Sequence, residues 1–174
     1  MSGRFIGKFR GTVINNIDPE FRGRLMCLVP DVFGFVPSSW CEACTPLAGP
    51  TGPPMGVHFV PPIGAGVWIE FEQGDPDYPI WVGCRWGAQS DIPALARAGL
   101  PVSPSLVLQS ATQNVIAISD LPGPAGGVII QSGPSILSIN QTGISLVAPK
   151  VEITAAAITI LGATDINAGA LHVT

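Results

Sequence analysis

The sequence predicts an all-β protein in two parts. A five-stranded barrel is expected over residues 1–88, and past a connector at 89–104 a triple-stranded β-helix over 105–174, a β-prism that three chains build together. Three observations lead there. Charged residues make up only 11% of the chain, while 21 Gly and 18 Pro among 174 residues make it turn-rich and poor in helix-stabilising side chains. Short runs of alternating apolar and polar residues recur through the first half, each closed by turn residues. In the second half, apolar pairs two residues apart return at a nearly fixed spacing.

The barrel strands are placed at Lys8–Asn15, Arg24–Val29, Val57–Val60, Val67–Glu72 and Ile80–Trp86. The fourth alternates most plainly, with Val67, Ile69 and Phe71 on one face and Trp68, Glu70 and Glu72 on the other. "NIDPEFRG" joins the first two strands and "QGDPDYP" the last two, both built on Asp-Pro, which favours a tight reversal. Five short strands in fewer than ninety residues suit a Greek-key barrel of the oligonucleotide/oligosaccharide-binding (OB) type. The connector "AQSDIPALARAGLPVSPS" carries three prolines and room for one short helical turn.

In the second half the composition changes. Residues 105–174 hold only Asp120, Lys150, Glu152 and Asp165 as charged groups and no aromatic residue. Apolar pairs stand at Leu137/Ile139, Ile144/Leu146, Val151/Ile153 and Ile158/Ile160, each seven residues after the last, with Leu171/Val173 at the end. Leu106/Leu108, Ile116/Ile118 and Val128/Ile130 precede them at looser spacing. A coiled coil is excluded, because apolar residues two apart describe strands and the flanks are Thr, Ser, Gly and Pro. Seven residues supply about one third of a solenoid turn. Three chains wound on one axis supply a whole turn, with strand edges pairing between chains. The expected shared core is Leu137, Ile139, Ile144, Leu146, Val151, Ile153, Ile158 and Ile160.

"GTVINNIDPEFRGRLMCLVPDV", "WCEACTPLAGPTGPPMGVHFVPPIGAGVWIEFEQGDPDYPIWVGCRWG" and the repeats after them together resemble one family. It is that of the central spike proteins of contractile injection machines, including phage baseplate assembly protein V and the core of the VgrG proteins of type VI secretion. Asp18-Pro19, Gly23-Arg24, Pro46, Ala48-Gly49, Pro62, Gly64, Phe71, Gly74-Asp75, Pro79 and Gly83 fall on its pattern. The resemblance implies a structural homotrimer in a phage tail or injection-particle baseplate. It further implies a tail hub protein at the barrel end, a needle that pierces the target membrane, and a small PAAR-like protein capping the tip. The barrel starting almost at Met1 makes the hub a separate protein, and residues 89–104 are too few for the lysozyme domain that some members carry there.

Leu171, His172, Val173 and Thr174 are the expected cap-binding residues, since an open prism end leaves unpaired strand edges and an exposed core. Some spikes of this family instead hold iron at the tip through paired histidines. Here His172 stands alone and faces outward by alternation, so no metal and no cofactor are expected. Nor is an enzyme: His58 and His172 are the only histidines, and neither sits in a nucleophile motif. Cys27 and Cys84 fall in apolar runs and are expected to be buried thiols, and "WCEAC" is a weak zinc or redox signal. A net charge of −4 argues against a nucleic-acid partner. The N-terminus lacks the apolar segment of a signal peptide, so synthesis and assembly in the cytoplasm are expected. A trimeric receptor- or carbohydrate-binding fibre is the competing role. It calls for aromatic side chains along the prism, where there are none.

Overall fold

In the first half, β-branched and aromatic residues separated by Gly, Pro and Asp turns build strands that share one core. The computed structural model describes residues 4–49, 53–98, 105–123 and 126–162. The chain divides into two units, Met1–Ile92 and Pro93–Thr174. In the first, β1 (Phe9–Asn15), β2 (Met26–Leu28), β3 (Glu42–Ala43), β6 (Gly66–Phe71) and β7 (Pro79–Arg85) form a sheet in the order β2-β1-β6-β7-β3. The bridges Leu25↔Cys41 and Leu28↔Pro37 join its two ends, so the sheet curls shut. One-turn helix α1 (Pro30–Phe33) follows β2, with Pro30 at its first turn, where a missing N–H is harmless. The two-residue strands β4 (Ala48–Gly49) and β5 (Met55–Gly56) form a separate hairpin.

Val13, Leu25, Cys27, Val29, Cys41, Val67, Ile69, Phe71 and Trp81 fill the barrel. The alternation read in β6 holds, with Val67, Ile69 and Phe71 inside. Gly11 is needed in β1 for close approach, because a Cβ there would lie 2.9 Å from Ile69 Cγ1. Phe5, Phe9 and Phe33 close around Phe71 with ring centroids 5.4–6.0 Å apart.

Two expectations for this half are corrected. Val57–Val60 is not a strand; Phe59 packs its ring edge-on against Trp81 at 5.7 Å, and the fifth barrel position belongs to β3, parallel to β7. A two-residue strand has no alternation to read, and the apolar run 57–60 earns its contacts without a ladder. Cys84 is exposed, not buried. It lies past the register shift where Trp68 faces Gly83 and Ile69 faces Trp81.

In the second unit α2 (Ala94–Ala98) precedes β8 (Ser105–Gln109), β9 (Val115–Ser119), β10 (Gly127–Ser132), β11 (Ser135–Asn140) and β12 (Gly143–Val147). These five strands form an antiparallel meander in sequence order. Here the expectation of edges paired only between chains is corrected: over 105–147 the ladders run within the chain. The cause is visible at the turns. Asn140 Oδ1 accepts the Thr142 N–H at 2.9 Å, and Gly143 follows at φ +140°, so Gln141 and Thr142 reverse the chain. A spacing of seven fits such a hairpin as well as a winding, because Leu137 then faces Leu146 and Ile139 faces Ile144. Residues 148–162 carry no strand.

Candidate functional site

The ladders stack the apolar pairs of successive strands side by side. One row runs Leu106, Ile118, Val128, Ile139, Ile144 and the other Leu108, Ile116, Ile130, Leu137, Leu146. Directly opposed residues in an antiparallel sheet project to the same side, so ten aliphatic side chains share one face. In the single chain they are not covered: exposure runs from 43% at Ile139 to 75% at Ile144, with only Val128 and Leu137 half-buried. The opposite face mixes Ser138, Ser145 and Gln131 with Val107, Ile129 and Ile136, and there Val115 and Ala117 are buried.

Burying the remaining half of such a side chain contributes about 1 kcal/mol. Ten of them contribute on the order of 10 kcal/mol per chain, as much as the entire net stability of an ordinary domain. An aliphatic face of this extent marks an interaction surface. Of the predicted core residues, Leu137, Ile139, Ile144 and Leu146 stand together on this face. Val151, Ile153, Ile158 and Ile160 lie beyond the last strand and are exposed. Leu171, His172, Val173 and Thr174 lie outside the described residues. Sequence reading noted Leu106, Leu108, Ile116, Ile118, Val128 and Ile130 only as a looser repeat. Register makes them equal members of the face.

Asp18, Glu20, Arg22, Arg24 and Glu42 meet at the loop that joins β1 to β2. Asp18, 6% exposed, accepts the backbone N–H groups of Glu20, Arg22 and Arg24 at 2.8–3.2 Å. Its Oδ1 also receives Nε and Nη2 of Arg24 at 3.1 and 2.7 Å. The Arg24 guanidinium, with these N–H groups, holds the carboxyl well below the usual carboxylate range. Trp81 Nε1 donates to the Gly23 carbonyl at 2.9 Å, tying the loop to the core. Asp75 repeats the device on a smaller scale, accepting the Asp77 N–H at 3.0 Å. These are turn-fixing bonds.

The cysteines separate. Cys27 and Cys41 are buried together, with Ser38 Oγ accepting the Cys27 N–H at 3.0 Å and lying 3.3 Å from Cys41 Sγ. Cys44 is exposed, so the two thiols of "WCEAC" occupy different environments. Among the described residues no three His, Cys, Asp or Glu side chains gather as metal ligands. His58 lines two open hollows on the barrel surface.

Comparison with known families returns two matches. Residues 9–86 match the type VI secretion system/phage-baseplate injector OB domain, and residues 105–172 match the phage baseplate V C-terminal trimerisation domain. Comparison with curated proteins returns no match.

Proposed function

Because the chain belongs to the phage-baseplate and type VI injector spike family, we propose that it is the homotrimeric central spike of a contractile particle, joining a tail hub to a membrane-piercing tip. Its membership makes it a structural component of a virion or injection particle, built on a trimerisation domain and not on an enzyme family. The further reading concerns how the parts are used. The observation that carries it is the two-row aliphatic face, which a single chain leaves in water.

In this reading three meanders turn their aliphatic faces to a common axis, each chain forming one wall of a prism. Strands stack at about 4.8 Å, so five strands give a wall roughly 20 Å tall. The wall ends where Val147 is followed by Ala148 and Pro149, which lacks an N–H for a further rung. Beyond it Val151/Ile153 and Ile158/Ile160 keep the two-residue pairing, and the chain passes to strands shared between the three copies. The barrel end seats on the hub, and Leu171 to Thr174 receive a PAAR-like cap. Assembly takes place in the cytoplasm, and neither a cofactor nor a nucleic acid takes part.

Light scattering on the purified chain, followed by reconstitution, tests this. The expected native mass is three times the 18.0 kDa of one chain. Removing residues 169–174 leaves a trimer of the shortened chain but abolishes binding of a cap and the function of the particle. A truncated spike that still binds its cap overturns the assignment of the tip, and a folded monomer at micromolar concentration overturns the spike altogether.

A further inference from the structure

Cys27 and Cys41 meet at the seam that closes the barrel. Across it Leu25 and Cys41 exchange both backbone hydrogen bonds, at 3.1 and 2.7 Å. Directly opposed residues project to one side of a sheet, and Cys27, two positions past Leu25, projects there too. All three are wholly buried. Between this bridge and the next, Leu28↔Pro37, the 37–41 side holds one residue more than the 25–28 side, as in a bulge. Ser38, beside that excess, is buried. Its N–H donates to the Cys27 carbonyl at 2.9 Å, and its Oγ accepts the Cys27 N–H at 3.0 Å while lying 3.3 Å from Cys41 Sγ. The two thiols thus converge around one hydroxyl, and they are hydrogen-bonded to each other.

Their shared hydrogen bond makes them unequal. It pushes the Cys27 thiol up, with burial adding to the rise, and it holds Cys41 down, with Ser38 helping. Cys41 is therefore the sulfur that attacks, and Cys27 is the partner within reach to complete a bond. Access is a matter of size. A seam held by isolated bridges in place of a ladder opens more readily than the paired strands around it. Hydrogen peroxide, little larger than water, enters through such an opening, whereas an alkylating reagent needs a larger one.

We propose that Cys27 and Cys41 are an oxidation site whose disulfide locks the barrel seam. The Cys41 thiolate attacks one oxygen of hydrogen peroxide and breaks the O–O bond. Cys41 becomes a sulfenic acid, and the hydroxide released takes up the proton that Cys41 had lost. The Cys27 sulfur then attacks the Cys41 sulfur and expels hydroxide, which leaves with the Cys27 proton as a second water. Two thiols give up two electrons, and one peroxide becomes two waters. The bond spans the seam and restricts the unfolded chain. Reducing surroundings keep the thiols free, and oxidising surroundings close the lock. It lies within one barrel and depends on no other copy, hub or cap.

Full-length protein carrying Cys44→Ser and Cys84→Ser, which removes the exposed thiols, provides the test. It is treated with hydrogen peroxide while folded, then unfolded and exposed to a maleimide. No maleimide adduct is expected, and a peptide map should join Cys27 to Cys41. The barrel's melting temperature should rise by roughly 10–20 °C, the effect of closing a loop of this length, and fall back on adding dithiothreitol. With Cys27→Ala added, the rise should vanish and Cys41 should stop at a sulfenic acid that dimedone labels. Two maleimides per chain, once peroxide has already oxidised the exposed Met55, overturn the proposal. So does Cys41 carried to a sulfinic acid with Cys27 still free, or a disulfide that leaves the melting temperature where it was. These readings come from the chain with both thiols present, so they stand even where Cys27→Ala fails to fold.

Discussion

The barrel and the C-terminal meander are sheets of five strands each, and they treat apolar surface in opposite ways. The barrel closes on itself, and Val13, Leu25, Val29, Val67, Ile69 and Trp81 are at most 1% exposed. The meander pairs its neighbouring strands within the chain, with β8 and β12 as open edges, but leaves ten aliphatic side chains on an open face. Backbone pairing and apolar burial are therefore separable. In the meander the chain pairs its strands and leaves the aliphatic face open. The barrel buries its apolar core within the chain, whereas the part of the chain that holds the meander matches a trimerisation domain.

The largest expected effect comes from placing a charge on the open face. Leu137→Asp sets three carboxylates near one axis between Ile130 and Leu146, each costly to bury and repelling the others. Loss of the trimer in light scattering is expected. Ser145→Asp, exposed on the opposite face of the same hairpin, should leave the mass unchanged. Equal assembly of the two variants breaks the contrast between the faces.

Asp18→Asn tests the other side of the comparison. It removes the charge that Arg24 and three backbone N–H groups converge on, and a lowered barrel melting transition is expected with the native mass still trimeric. Calorimetry reads the first and light scattering the second. The same group sets a pH dependence. Its carboxyl is held below the usual range in the folded barrel, so its contribution is present above the unfolded value of about 3.9 and is lost as pH falls through the lower folded value. Barrel stability should thus fall on acidification below about pH 4, and the fall should be shallower in Asp18→Asn.

Smaller still is Trp81→Phe, which leaves the Gly23 carbonyl without its donor and a void where the larger ring stood. A loss of about 1–3 kcal/mol in denaturant unfolding of the barrel is expected. The mildest test perturbs nothing: alkylation of the native protein should modify Cys44 first, Cys84 more slowly because partial burial pushes its thiol up, and spare Cys27 and Cys41 until the barrel unfolds. Four equally reactive thiols would break the claim that the barrel core is closed within the chain.

Much of this was legible in the residues. The alternation of Val67, Ile69 and Phe71 and the Asp-Pro turns at 18–19 and 75–76 are local, and local chemistry fixes them. The paired spacing of Leu137/Ile139 and Ile144/Leu146 identified an apolar face correctly. It could not tell whether the next strand returns beside its predecessor or advances around an axis, because a two-residue reversal and a one-third turn occupy the same number of residues. The place of Glu42 and Ala43 in the barrel was invisible for a different reason: two residues have no period.

The sequence by itself determined which residues are apolar, how they alternate, and where Gly, Pro and Asp turn the chain, because these follow from side-chain type and nearest neighbours. Tertiary structure decided the partner of each strand: β3 beside β7, Leu25 against Cys41 to shut the barrel, and five apolar pairs aligned into two rows. It also decided that Phe21, an unremarkable loop residue in the sequence, takes a left-handed backbone with its side chain in solvent. Partners are chosen by the free energy of burying whole faces at once, which depends on contacts far apart along the chain and leaves no mark on any short stretch of it.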